Sequence, residues 1–171
     1  MAILIREATM ADVYDVARVH VLSWQSAYHN IVPDNYLHKL EINKRAERFK
    51  KDFVAYKGIT YFYVAENNGR IIGNIALSKC RDDDKPLSGE IIGIYLLKEY
   101  WSMGYGKKLM DFGINKLCEF GYSEVCLWVL DQNRRARNFY ERYGFLFDGT
   151  KKEINLGKQL VEIRYVLNFA V

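Results

Sequence analysis

The run Ile91-Ile92-Gly93-Ile94-Tyr95-Leu96-Leu97 is almost continuously apolar, and no other feature limits the fold of this chain so sharply. A strand that meets water on one face alternates apolar and polar residues, whereas an unbroken run marks a strand covered on both faces. Beyond it, Gly104 and Gly106 precede a helical pattern. Glycine permits backbone conformations and close approaches that a side chain blocks, and the first N–H groups of a helix have no partner within it. Strand, glycine turn and helix start together make a pocket for an anion, a phosphate above all. A second buried strand, Val125 to Leu130, follows the helix. The three elements predict a right-handed parallel crossover with the pocket at the carboxyl end of its first strand.

Two common phosphate binders are excluded by spacing. The NTPase loop needs two glycines separated by four residues and then Lys-Ser or Lys-Thr, which the chain lacks. A dinucleotide site needs a third glycine near Leu109 and an acidic residue at the end of the next strand, but Glu124 stands at that strand's start.

Trp101-Ser102-Met103-Gly104-Tyr105-Gly106 resembles the Arg/Gln-x-x-Gly-x-Gly/Ala signature of the GNAT N-acetyltransferases, with Trp101 where the family usually has Arg or Gln. Independently, Asn133-Arg134-Arg135-Ala136-Arg137-Asn138-Phe139-Tyr140-Glu141-Arg142-Tyr143-Gly144-Phe145 resembles that family's second cofactor motif, Asn-x-x-Ala-x-x-Phe-Tyr-x-x-x-Gly-Phe. The similarity extends from about Ile3 to Val166. It implies an α/β fold: a mixed, mostly antiparallel sheet of about seven strands with a parallel βαβ crossover and flanking helices, in a single domain over residues 1–171.

The resemblance also implies acetyl-CoA as acetyl donor and an amine as acceptor. Pantetheine would pair with the backbone of Ile94, Tyr95 and Leu96, and the pyrophosphate would lie on amides of Ser102, Met103, Gly104, Tyr105, Gly106 and Lys107. Lys107 and Lys108 either add charge there or are solvated residues of the helix start. Asn133 matches a residue that contacts the pantetheine arm, although a helix cap equally explains an asparagine there. An alkylammonium, with a pKa of about 10, is not nucleophilic, so the transfer needs a proton acceptor, an oxyanion donor and a proton for the departing thiolate. Tyr140 matches the family's general-acid tyrosine; the alternative is a core aromatic in the series Ala136, Phe139, Tyr140 and Tyr143. Glu90 sits where many members carry a carboxylate and is the candidate proton acceptor, the alternative being an exposed strand-end residue. Trp24 and Tyr28 fall in the segment that walls the acceptor pocket, or else pack in the core.

Composition narrows the remainder. The 171 residues contain no linker, repeat or low-complexity tract, and no apolar run approaches the ~20 residues that span a bilayer. Met1 to Met10 lacks the pattern of a signal peptide, so a cytoplasmic protein without membrane contact is expected. Cys80, Cys118 and Cys126 stand in apolar patterns and read as reduced core thiols, while His20, His29 and His38 are widely spaced, so no metal is expected. A net charge of +4 is spread among acidic neighbours. Arg134, Arg135 and Arg137 therefore read as a solvated helix face rather than a nucleic-acid surface, and Asp82-Asp83-Asp84 as a solvated turn. The acceptor is a small-molecule amine or a protein N-terminus or lysine, and a homodimer is possible at the family level. A non-catalytic CoA-binding sensor of the same fold is the competing class.

Local patterns predict a strand over Ile3 to Arg6, a helix capped by Thr9, and an aromatic segment from Ser23 to Leu40 broken by Pro33. A helix over Asn43 to Tyr56 and a hairpin of Thr60 to Glu66 with Arg70 to Lys79 follow. The core strand is expected over Ser88 to Leu97 and its helix over Lys107 to Phe120. A helix between Asn133 and Gly144 then leads to closing strands at Phe145 to Ile154 and Gln159 to Asn168.

Overall fold

A computed structural model describes residues 3–169; the two residues at each end of the span 1–171 lie outside the described residues. The strands are β1 (Leu4–Glu7), β2 (Thr60–Asn67), β3 (Arg70–Lys79), β4 (Gly89–Leu96), β5 (Glu124–Leu130), β6 (Leu146–Asn155) and β7 (Gln159–Asn168). The helices are α1 (Val13–Ala27), α2 (Asp34–Leu37), α3 (Ile42–Ala55), α4 (Tyr105–Glu119) and α5 (Arg134–Tyr143). The expected mixed sheet forms with seven strands in the order β1-β2-β3-β4-β5-β7-β6. Only β4 and β5 run parallel, joined by α4.

Asn68 and Gly69 close the β2–β3 hairpin at φ 50° and 74°, the left-handed pair that a tight two-residue turn needs to match strand twist. Along β4 the ladder to β3 slips: Ala76 faces Gly93 but Leu77 faces Ile91, leaving Ile92 as an extra residue. Such a bulge bends its strand. The parallel ladder to β5 ends just before it, after Gly89↔Val125 and Glu90↔Cys126. Beyond that point β4 and β5 part, and a seam opens in the middle of the sheet.

One face of the sheet buries Ile91, Val125, Leu127 and Ile163 against Leu109, Met110, Ile114 and Leu117 of α4. The other packs Val64 and Ile71 against Val13, Val16 and Ala17 of α1 and Ala46 and Phe49 of α3. Each such aliphatic contributes about 1.5–3 kcal/mol by leaving water. A smaller cluster of Val32, Leu37, Leu130, Leu156 and Leu160 joins the α1–α2 segment to the far end of the seam.

Several local expectations change. Thr9 does not cap α1; a short 3-10 turn over Met10–Asp12 intervenes, and the Asp12 carboxylate accepts from the Thr9 N–H and Oγ at 2.7 and 2.8 Å. That carboxylate also pairs with Arg6 at 2.8 Å, tying β1 to the helix start. α1 runs through Ser23 to Ala27, which carries Trp24 on its last turn. Cys118 is exposed on α4, unlike the buried Cys80 and Cys126. Asp82 and Asp84 are more than a solvated turn: although Asp84 stays exposed, both hold Arg164 of β7, at 3.0 and 2.5 Å, and Asp148 of β6 joins them at 2.7 Å. The clasp pins the β3–β4 loop across β7. No helix among the described residues is long and apolar enough to cross a membrane.

Candidate active site

The seam widens into a cleft of about 940 Å³ lined from both strands, from the end of α1, and from the starts of α4 and α5. Leu97 donates to Ile72 at 2.9 Å, so the alternation of the antiparallel ladder turns the backbone of Tyr95 toward β3 and that of Ile94 and Leu96 toward the seam. Tyr95 thus enters the cleft through its ring rather than its backbone, a correction to the expected pairing set. The Leu96 carbonyl already accepts from Trp101 Nε1 at 2.7 Å and from Ser23 Oγ at 3.1 Å. Ile94 therefore offers the seam's free backbone edge.

At the mouth, Ser102 and Gly104 have φ of 60° and 83°, and Gly104 is the N-cap of α4. A left-handed residue at this place turns successive amides toward one concavity, which is how a chain cradles an anion. Ser102, Gly104, Gly106 and Lys107 line the cleft. Met103 is 58% exposed and Tyr105 is buried in the core, so among the residues expected at the pyrophosphate these two can contribute only backbone. Lys107 pairs with Asp111 at 2.8 Å. Arg135, read from sequence as part of a solvated helix face, instead lies 4.3 Å above the Trp101 ring and donates to Ser102 Oγ at 3.4 Å. Trp101 is thereby a shelf for a cation brought from α5 to the mouth of the cleft. Its signal in the sequence was Arg at two residues past a helix cap, facing a Trp in the turn. Arg137 points elsewhere, to Asp131 at 2.5 Å.

Asn133 caps α5, its Oδ1 accepting from Ala136 N–H at 3.2 Å, and it also lines the cleft. The cap reading of this residue is thus shown, and its place on the cleft leaves it within reach of a bound molecule. Tyr140 lies on the cleft and is 9% exposed, packed between Phe139, Phe145 and Tyr165. Burial, with a smaller effect of the Tyr95 phenol, pushes its pKa well above the ordinary tyrosine value, so the hydroxyl is kept protonated. The same dry surroundings raise the basicity of a thiolate, and a phenol and a thiolate in one cleft stay matched for proton transfer.

Glu90 lines the deep end and is 1% exposed, which rules out an exposed strand-end carboxylate. Arg81 covers it with its backbone N–H at 3.1 Å, Nε at 2.9 Å and Nη2 at 2.5 Å. Behind it, Cys80 and Cys126 bring their Sγ atoms to 2.8 Å. Cys80, Glu90 and Cys126 are the only group of three potential metal ligands among the described residues, and Arg81 already occupies both Glu90 oxygens.

Trp24 and Tyr28 line the cleft and also pack against the cluster of Val32, Leu37, Leu130, Leu156 and Leu160, with ring centroids 4.8 Å apart and nearly perpendicular. His20 backs Trp24 at 5.2 Å, and burial pushes its pKa down to about 3, so it is a neutral packing residue. Arg81, Trp128, Lys152 and Glu162 also line this end, and sequence patterns did not single them out. They come from three strands and a loop that only the tertiary fold brings together.

The family model for the acetyltransferase (GNAT) family matches residues 21–145. YuaI of Bacillus subtilis (strain 168), named as an uncharacterized N-acetyltransferase, is 31% identical over 176 aligned residues, 97% of this chain and 99% of that protein. PaiA N-acetyltransferase from Thermoplasma acidophilum, solved with coenzyme A, superposes with a TM-score of 0.79 at 23% identity, covering 99% of this chain and 100% of the other. YncA from Salmonella typhimurium, solved with acetyl-CoA, gives 0.72 at 16% identity over 100% and 96%. With the family match spanning most of the chain and one relative aligned along its full length, the protein belongs to the GNAT family of acetyl-CoA-dependent acetyltransferases.

Proposed function

We propose that this enzyme transfers the acetyl group of acetyl-CoA directly to a primary amine, with donor and acceptor bound together in the seam. The observation that carries the reading is the parting of β4 from β5 after Glu90, which leaves a free backbone edge at Ile94 between an anion-binding turn and a buried tyrosine. Two structural neighbours hold CoA or acetyl-CoA, which supports the same occupant here.

In this reading the amides of the Ser102 to Lys107 turn hold the pyrophosphate, with Lys107 and Arg135 adding charge. The pantetheine pairs with Ile94, and Asn133 contacts the arm. A backbone N–H on β4 polarises the thioester carbonyl. The acceptor nitrogen, once deprotonated, forms the new C–N bond as the C–S bond breaks, and the Tyr140 hydroxyl delivers its proton to the leaving thiolate. Proton acceptance from the amine falls to a cleft carboxylate, with Glu90 the candidate from sequence. The Arg81 contacts make Glu90 act through a water rather than by direct contact. Trp24 and Tyr28 wall the acceptor, which is a small-molecule amine or a protein N-terminus or lysine. The unit is read as one cytoplasmic domain over 1–171, without bound nucleic acid.

Calorimetry with acetyl-CoA, followed by thiol release against a panel of amines, amino acids and peptides, tests the reading. Binding with amine-dependent release supports it. Binding with no release from any amine favours a CoA sensor, and no binding overturns it.

A further inference from the structure

The cations at the deep end of the cleft, and Arg164 behind it, are not equivalent. Arg164, 2% exposed, is shared by three aspartates, and Arg81 is committed to Glu90. Lys152 is held more loosely. Its ammonium lies 3.9 Å from the centre of the Trp128 ring and 3.3 Å from Glu162, and its side chain is 44% exposed. Glu162 has no other ion-pair partner among the described residues.

Strand register places these groups together. Glu162 stands opposite both Leu130 on β5 and Lys152 on β6, and Trp128 opposite Arg164. Residues two apart on a strand share a face, so Cys126, Trp128 and Leu130 lie on one side of β5. Cys126 is opposite Glu90. Glu90, Trp128, Glu162 and Lys152 therefore occupy the same face, and all line the cleft with Trp24 and Tyr28. The Trp128 ring is anchored, because its Nε1–H donates to Asp82 at 2.9 Å and Asp82 is itself held by Arg164.

A fixed aromatic face beside a carboxylate is a cation site. Here it is filled by an alkylammonium from the protein's own outermost strand. We infer that Glu162 and the Trp128 ring bind the ammonium group of the acceptor, that Lys152 is the tethered occupant the acceptor displaces, and that the acceptor class is a cationic alkylamine. The inference rests on the acetyl-transfer reading only for the word acceptor; the cation site stands on its own geometry. Glu90 cannot serve in this way, because Arg81 already takes both of its oxygens.

The test is calorimetric binding of n-butylammonium to the CoA-loaded protein, with n-butanol as the neutral isostere, in parallel with amine-dependent thiol release. Glu162→Gln should weaken n-butylammonium tenfold or more, and Lys152→Met should tighten it severalfold by removing the competitor. n-Butanol should bind far more weakly than n-butylammonium and respond to neither change. Should Glu162→Gln fail to fold, Lys152→Met and Trp128→Leu, the latter weakening the cation alone, decide the matter. Unchanged affinity in Glu162→Gln and Lys152→Met, equal binding of the alcohol, or no binding by the wild type overturns the inference. Thiol release that persists while these variants leave amine binding and KM unchanged defeats the subsite and leaves the transferase standing. Glu162-dependent binding without thiol release from any amine does the reverse.

Discussion

Replacing Arg164 by Met should both loosen the fold and impair acceptor binding while sparing acetyl-CoA. Arg164 Nε donates to Asp148 at 2.7 Å, Nη1 to Asp82 and Asp84 at 3.0 and 2.7 Å, and Nη2 to Asp84 and Thr150 at 2.5 and 3.0 Å. Methionine keeps the apolar stem but leaves carboxylates gathered without a cation. Breaking a buried pair by removing one partner costs about 3–5 kcal/mol; the exposed Asp84 adds little to this, and partial exposure of Asp82 and Asp148 lowers the expectation to about 2–4 kcal/mol. For a chain of this length that is a fall in Tm of about 5–12 °C. Without the clasp the β3–β4 loop is released, Arg81 loses its station on Glu90 and Trp128 its anchor, so amine KM should rise at least severalfold. The pH dependence has a definite sign. Asp84 is held below the usual carboxylate range by its hydrogen bonds to Arg164. For Asp148, burial pulls upward but is outweighed by the Thr150 and Arg164 contacts, so it too is lowered. Groups lowered in the folded state add stability above the unfolded pKa of about 4, and that stability is lost as pH falls through the folded values. The gap in Tm between wild type and Arg164→Met should therefore be full at pH 7 and shrink below about pH 4. Thermal unfolding across pH and steady-state kinetics read both effects. A Tm within 2 °C of wild type at pH 7, with unchanged amine KM, would refute the clasp.

Tyr140→Phe keeps the ring in its packing and removes one proton donor, so kcat should fall by about 10²–10³ with acetyl-CoA affinity unchanged, as thiol-release kinetics and calorimetry would show. Since burial raises the Tyr140 pKa, the wild-type rate should not decline between pH 8 and 10. Arg135→Ala should weaken acetyl-CoA several-fold and reduce the salt dependence of its binding, without moving amine KM. Asn133→Ala should cost about 1 kcal/mol through loss of the α5 cap, visible as a Tm drop of about 2–4 °C, and weaken acetyl-CoA as well.

Much of the fold was legible because its signals are local. The apolar run of β4, the Asn-Gly hairpin, the Asn133 cap and the closing Gly144 each depend on near neighbours, and β3 and β7 begin and end where the pattern placed them. The glycine turn and helix start at the mouth of the cleft were legible for the same reason, since they are one continuous segment. What escaped notice is long-range. The Ile92 bulge that opens the seam appears only when β3 is laid beside β4. Asp82 and Asp84 in the β3–β4 loop looked like solvated charge until Arg164 arrived from β7, with Asp148 of β6 beside them. Arg135 read as surface because its partner, Trp101, precedes it by a whole crossover unit. Lys152 lies on the largely exposed β6 and Glu162 on β7 beside the exposed Val161, so each reads as an ordinary surface strand residue, and only the register and the cleft lining bring them together.

The most direct measurement is thiol release from acetyl-CoA by the purified protein, with and without n-butylamine, continued to product identification by mass spectrometry. The seam and Tyr140 predict amine-dependent release, one N-acetylated amine for each thiol, and a rate lowered at least a hundredfold in Tyr140→Phe. Tight acetyl-CoA binding with no release from this or any other amine, or release indifferent to Tyr140, would contradict it.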